Sequence, residues 1–176
     1  MTRCPNCKSA ELTVERIVRP VVDALPEVLA EGLETWTCAA CGETFSAWPQ
    51  AAPLLDLVLV LVLGKPSRLT PAEFRWLRER LGWKGLELAK NFGVTPEIVS
   101  KWERGKARIS SQSDRLLRAL VALRRGVAAD VVRLELADDD VPLRATVSLG
   151  PAGWRVSSPV AGGGPTPNTS GAEERR

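Results

Sequence analysis

Apolar positions along this chain follow two rhythms. Between residues 70 and 125 they recur every three or four places: Phe74, Leu77 and Leu81, then shorter runs at 85–93 and 94–104, then Leu116, Leu117, Leu120 and Leu123. That is the period of helices burying one stripe each. On either side the period drops to two. Residues 11–19 partly alternate, Thr35-Trp36-Thr37 and Thr44-Phe45-Ser46 form short repeats, and residues 131–136 and 143–149 alternate strictly, with Trp154-Arg155-Val156 behind them. These read as strands. Residues 51–64 are apolar nearly all round, between prolines at 49 and 53 and Gly64-Lys65-Pro66. Their Leu/Val alternation suits a strand as well as a helix; Pro53, tolerated in a first turn, favours a helix. Such a surface needs cover, from the N-terminal part of the chain or from a second copy.

The pattern predicts an α+β multidomain protein. A small β module occupies residues 1–50 and an apolar connecting element 51–66. An all-α domain follows at 67–126, then a short β-hairpin extension at 127–157, with Asp138-Asp139-Asp140 as its solvated turn and cation binding as the alternative. Residues 158–176, rich in Gly, Pro and Thr without apolar period, read as a disordered tail.

Helix boundaries are marked in the central stretch. Thr70-Pro71-Ala72-Glu73 is a capping box with proline at the first helical position. Gly82, Gly93 and Gly105 mark stops, and Thr95-Pro96 opens a further helix with Thr95 as its cap. Ala89, Gly93 and Val99 have helix-turn-helix spacing: alanine lets two helices approach, glycine turns the chain, and valine packs the second helix on the first.

Net charge sharpens this picture. The overall +3 hides a basic block: residues 68–125 carry 14 basic and 6 acidic side chains, a balance of +8, while residues 1–50 carry 4 and 7. A basic helical block points to a polyanion, most simply nucleic acid; a solvated Arg-rich surface is the alternative. Histidine and tyrosine are absent. No nucleophile–base pair and no open metal site can be assembled, so catalysis is the weakest reading. The longest apolar run, 57–63, is too short to span a membrane. The first residues lack the apolar stretch of a secretion signal, so a cytoplasmic protein is expected.

The four cysteines form two Cys-x-x-Cys turns, Cys4/Cys7 and Cys38/Cys41, followed in the second case by Gly42. Two such turns supply four thiolates to one tetrahedral centre, and the expected cofactor is a single structural zinc ion. Disulfides and a rubredoxin-like iron site are the alternatives.

Residues 70–120 resemble Xre-type (Cro/repressor-like) helix-turn-helix domains, on Leu-Arg-Glu-Arg-Leu-Gly (77–82), Glu-Leu-Ala (87–89), Phe-Gly-Val (92–94) and Ser-Lys-Trp-Glu-Arg-Gly (100–105). With the paired Cys-x-x-Cys turns, residues 1–123 resemble the MqsA family of antitoxins, which join a YgiT-type zinc finger to such a domain. That resemblance implies a homodimeric repressor that binds double-stranded operator DNA through the helix-turn-helix and a cognate toxin partly through the zinc-binding half. It maps base contacts onto Glu97 and Lys101, where the family usually carries Asn and Arg. Glu97 suits cytosine N4 and Lys101 suits guanine O6 and N7, which implies a different operator. Lys84-Gly85 replaces a Ser/Thr-Gln pair that helps hold a phosphate, leaving Lys84 as the contact. Thr95, Ser100, Arg104, Lys106 and Arg108 complete the candidate DNA-binding set, with helix capping or solvation as their plain alternatives. Two further readings remain: a stand-alone zinc-finger/helix-turn-helix transcription factor without a toxin, and a zinc-ribbon interaction or RNA-binding module. The family pattern says nothing about residues 127–176.

Overall fold

The structure, a computed structural model, describes residues 2–158. The chain starts with β1 (Leu12–Pro20), β2 (Val28–Cys38) and β3 (Thr44–Ser46) and continues through α1 (Ala51–Gly64), α2 (Pro71–Leu81), α3 (Gly85–Phe92), α4 (Pro96–Glu103) and α5 (Ser111–Arg125). It closes with β4 (Ala145–Gly150) and β5 (Gly153–Ser158). The architecture is mixed α+β.

The strands form one sheet centred on β2. β1 pairs with it antiparallel along its length, and the second half of β2 pairs antiparallel with β3. The first half pairs in parallel with β4, residues 28–31 against 145–148, and β5 completes the sheet as the antiparallel partner of β4. The register slips by one between Ile17 and Arg19, where β2 carries an extra residue and Gly32 has φ 74. Only a residue without Cβ takes that conformation at no cost. The extra residue resets the alternation, so Ala30 before the bulge and Leu33 after it both face the core.

α1 lies between this sheet and the other helices. Leu54, Leu57 and Leu61 pack with Ala30, Leu33, Val147 and Trp154. Its opposite face, Val58, Leu59, Val62 and Leu63, joins a core built from Phe74, Leu77, Leu81, Leu88, Val99, Leu117 and Val121. That is why the helix is apolar nearly all round, and its cover comes from both halves of its own chain.

Buried charges fasten the end of α1 to the helices. Arg118, with no exposed surface, donates from Nε to Asp114 (2.6 Å), from Nη1 to the carbonyls of Val62 (3.3 Å), Leu63 (3.1 Å) and Lys65 (2.7 Å), and from Nη2 to that of Ser67 (2.8 Å). These include α1 carbonyls that have no partner within their own helix. The expected capping box is present: Thr70 Oγ1 accepts from the Glu73 amide (3.3 Å) and Glu73 accepts from the Thr70 amide (2.8 Å). Glu73 also accepts from Lys65 Nζ and from the Leu143 amide. Burial pulls the Lys65 ammonium below its usual range, against the opposing pull of Glu73.

Three expectations are corrected. Residues 131–136 form no strand: a 3₁₀ turn at Ala129–Val131 leads into chain that docks on the end of α1, with the Arg133 amide donating to Leu63 (3.0 Å) and Arg115 Nε to the Leu134 carbonyl (2.6 Å). The C-terminal hairpin is instead β4 with β5, and it belongs to the same sheet as the N-terminal strands. On α5, Leu117 is buried and Leu120 half-buried, but Leu116 and Leu123 are exposed, because the bundle covers the Asp114–Leu117–Arg118–Val121 side. The tail expected over 158–176 lies, beyond Ser158, outside the described residues.

Candidate metal centre and nucleic-acid interface

Two similar turns bring the cysteines together. In the first, the Cys4 amide donates to the Ser9 carbonyl (2.8 Å) and the Lys8 amide to the Cys4 carbonyl (3.1 Å). In the second, the Cys38 amide donates to Glu43 (2.9 Å) and the Gly42 amide to Cys38 (2.9 Å). Gly42 has φ 73 and its counterpart Lys8 has φ 62, so the first turn holds a side-chain-bearing residue in a conformation that favours glycine. β1 pairs Leu12 with Cys38, which sets the turns side by side.

All four sulfurs lie within 4.8 Å of one another. Cys4 Sγ is 3.7 Å from Cys41 Sγ and Cys7 Sγ is 3.5 Å from Cys38 Sγ; all four are free thiols. Zinc–sulfur bonds of about 2.3 Å in a tetrahedron would set sulfurs about 3.8 Å apart, close to these separations. Cys4 and Cys38 are buried, Cys7 and Cys41 lie outside, and Asn6 Nδ2 donates to Cys41 Sγ at 3.9 Å. The backbone amide of Cys7, and then that of Asn6, draw the Cys4 thiol down to about 7. The Ser9 amide favours a Cys7 thiolate, but the neighbouring sulfurs of Cys41 and Cys38 outweigh it and Cys7 is pushed up to about 12. Four thiolates this close repel one another, and a bound divalent cation removes that repulsion. The four cysteines are thus positioned to hold a metal ion, with no coordination position left for a reacting water.

The basic half of the chain builds a second site. α3 stops at Gly93 (φ 65), the Val94 amide returns to the Ala89 carbonyl (3.0 Å), and Pro96 starts α4. Ala89, Leu88 and Val99 are buried, and Trp102 meets Phe74 edge-on with ring centroids 5.6 Å apart. Arg78 donates to Glu103 (2.5 Å) and to the Trp83 carbonyl (2.6 Å), locking the end of α4 onto α2. These contacts fix the inner side of α4 and leave its other side open. Glu97, Lys101 and Arg104 are exposed on α4 and its end, Ser100 is half-buried, and Lys84, Thr95 and Lys106 are exposed around them.

Thr95 departs from expectation. It has N-cap dihedrals, and its carbonyl accepts from the Ile98 amide (3.1 Å), but its side chain makes no capping bond. The Glu97 carboxyl is held below the usual range first by the nearby Thr95 side chain, then by its own backbone amide and by Lys101. Lys84 likewise stands at the N-cap of α3 without a side-chain cap. Arg104 Nε donates to the Ser100 carbonyl at 3.1 Å. Arg108 is paired with Asp138 (3.2 Å) and Asp140 (3.7 Å). Asp138 also pairs with Arg68 at 2.7 Å. Two of the three aspartates, Asp138 and Asp140, are therefore ion-paired to arginines that flank the helices, and the triplet is not the turn of a hairpin. The bracing pair Arg78–Glu103 was not singled out from the sequence; its partners lie 25 residues apart without any local signal.

Residues 74–113, from within α2 to the start of α5, match a family model described as Helix-turn-helix, of the Xre type. No curated protein and no solved structure gives a significant match to the chain. The chain therefore carries a helix-turn-helix domain of the DNA-binding regulatory class, preceded by a four-cysteine cluster positioned to bind a metal ion.

Proposed function

We propose that the protein is a zinc-containing, DNA-binding transcriptional repressor that acts as the antitoxin of a type II toxin–antitoxin pair in the cytoplasm. It neutralises a toxin, represses its own operon as a homodimer, and has no catalytic role. The observation that carries the DNA reading is the braced α4, whose open side presents Glu97, Lys101 and Arg104 together. In a major groove Lys101 donates to guanine and Glu97 accepts from cytosine. Lys84, Thr95, Ser100, Arg104 and Lys106 supply the phosphate contacts, and Arg108 joins them only when free of Asp138 and Asp140. The Cys4/Cys7/Cys38/Cys41 set matches zinc's preference for sulfur in a tetrahedron. Leu116 and Leu123, exposed two turns apart on α5, give a dimer an apolar seam. The antitoxin role rests on the union of a cysteine module with this domain.

Footprinting and gel shifts on upstream DNA with Lys101→Ala provide the test. Sequence preference is lost while metal content and folding are retained; unchanged operator discrimination would overturn the assignment. Co-purification with the product of the adjacent gene tests the toxin, and a protein that binds its operator without such a partner is a stand-alone regulator.

A further inference from the structure

Residues 137–141 are tied by main chain to the segment that leads into α2. The Ala137 amide donates to the Pro66 carbonyl (2.9 Å) and the Arg68 amide to the Asp139 carbonyl (2.8 Å). The Val141 carbonyl accepts from Lys65 Nζ (2.7 Å) and Ser67 Oγ (3.0 Å). None of these bonds uses an aspartate side chain. The carboxylates are left to face guanidinium groups: Asp138 bridges Arg68 and Arg108, and Asp140 adds a second contact to Arg108.

Arg108 lies in the loop between α4 and α5, one of three cations (with Arg104 and Lys106) that follow the open face of α4. On the DNA-binding reading it is a candidate phosphate contact, and its guanidinium is already occupied by carboxylates. The Asp138 and Asp140 side chains are 80% and 55% exposed and that of Arg108 39%. Ion pairs this wet are weak and screened by salt. Freed of them, Arg108 would add one counterion-releasing contact to a duplex, with its dense line of phosphates.

Resting on the DNA-binding reading above, we propose that Asp138–Asp140 is an acidic strap that occupies Arg108 in place of a DNA phosphate and sets the affinity of the helix-turn-helix for duplex DNA. It is a regulatory contact built from the chain's own carboxylates. Any event that draws residues 137–141 away from Arg68 and Arg108 raises affinity, and one that holds them lowers it.

The test compares full-length wild type, Asp138→Asn/Asp140→Asn, Arg108→Ala, and the triple variant, using fluorescence anisotropy on a random-sequence duplex from 50 to 400 mM salt. The double variant keeps the main-chain fastening and frees Arg108. The slope of log K against log salt steepens by about 0.9, and affinity rises roughly 8-fold at 0.1 M, as one added phosphate contact requires. Arg108→Ala alone changes little, and it cancels the gain in the triple variant. A double variant that matches wild type overturns the strap, as does a gain that persists without Arg108, which would be a general charge effect. If the wild type binds the duplex and the variants bind equally, only the strap falls. If no form binds any duplex, the DNA reading falls and the strap with it.

Discussion

Replacing Arg118 by methionine is the sharpest test of how the two halves of the molecule are joined. The side chain is fully buried and donates to one carboxylate and four backbone carbonyls. Methionine fills much of the volume and supplies none of those donors. Asp114 would keep only the bond from the Leu69 amide (2.7 Å). Each buried polar group left without a partner costs about 1–3 kcal/mol, and breaking a buried ion pair from one side costs about 3–5 kcal/mol. These overlap, because water that enters to solvate Asp114 also reaches the carbonyls, so the expected loss is about 4 kcal/mol. Against a usual total of about 5–15 kcal/mol this is severe. In a chain of this size it lowers Tm by about 8–16 °C. Urea unfolding followed by helical circular dichroism gives the number. Arg118→Lys should rescue little, since one ammonium cannot span four carbonyls. Asp114→Leu/Arg118→Met should be more stable than Arg118→Met alone, because no unpaired charge is left inside. A loss under about 1 kcal/mol for the single variant would refute the claim that this guanidinium ties α1 to α5.

Two further outcomes are expected. A strong chelator should remove hydrogen-exchange protection from residues 4–14 and 35–46 while α2–α5 stay protected, since the sulfurs sit at the tip of the sheet and the main core lies elsewhere; simultaneous loss from the helices would show that the metal supports the whole fold. Gly32→Ala meets no atom within 4 Å, so its cost of about 1–2 kcal/mol is purely that of holding alanine at φ 74, and a neutral result would mean the bulge relaxes.

What could be read from the sequence was what is encoded locally. The two cysteine turns, the Thr70–Glu73 box and the glycine stop at 93 each need only a few adjacent residues, and each appears where the spacing places it. Pairings between distant segments left no such mark. The alternation of 131–136 announced a strand, yet its partly buried Val131 and Val132 pack beside helices and bond within a local turn, while the Arg133 amide donates to Leu63 of α1. Period two specifies which side is apolar and not what will cover it. The parallel match of 28–31 with 145–148 was equally hidden, as was the one-residue bulge at Gly32 that keeps β2 in phase. At the candidate interface, the exposure of Lys101 followed from helical spacing, whereas the capture of Arg108 by Asp138 joins residues 30 apart through the unexpected course of the C-terminal segment.

The parallel seam between β2 and β4 imposes an order on biosynthesis. Helices of the DNA-binding half can close from neighbours in sequence as they leave the ribosome. The inner edge of β2 must wait for more than a hundred further residues before its permanent neighbour arrives, and until then it is an open template for stray strands. A nascent or clipped chain lacking β4 would thus carry a finished reading head on an unfinished, sticky base, a natural target for chaperones and proteases.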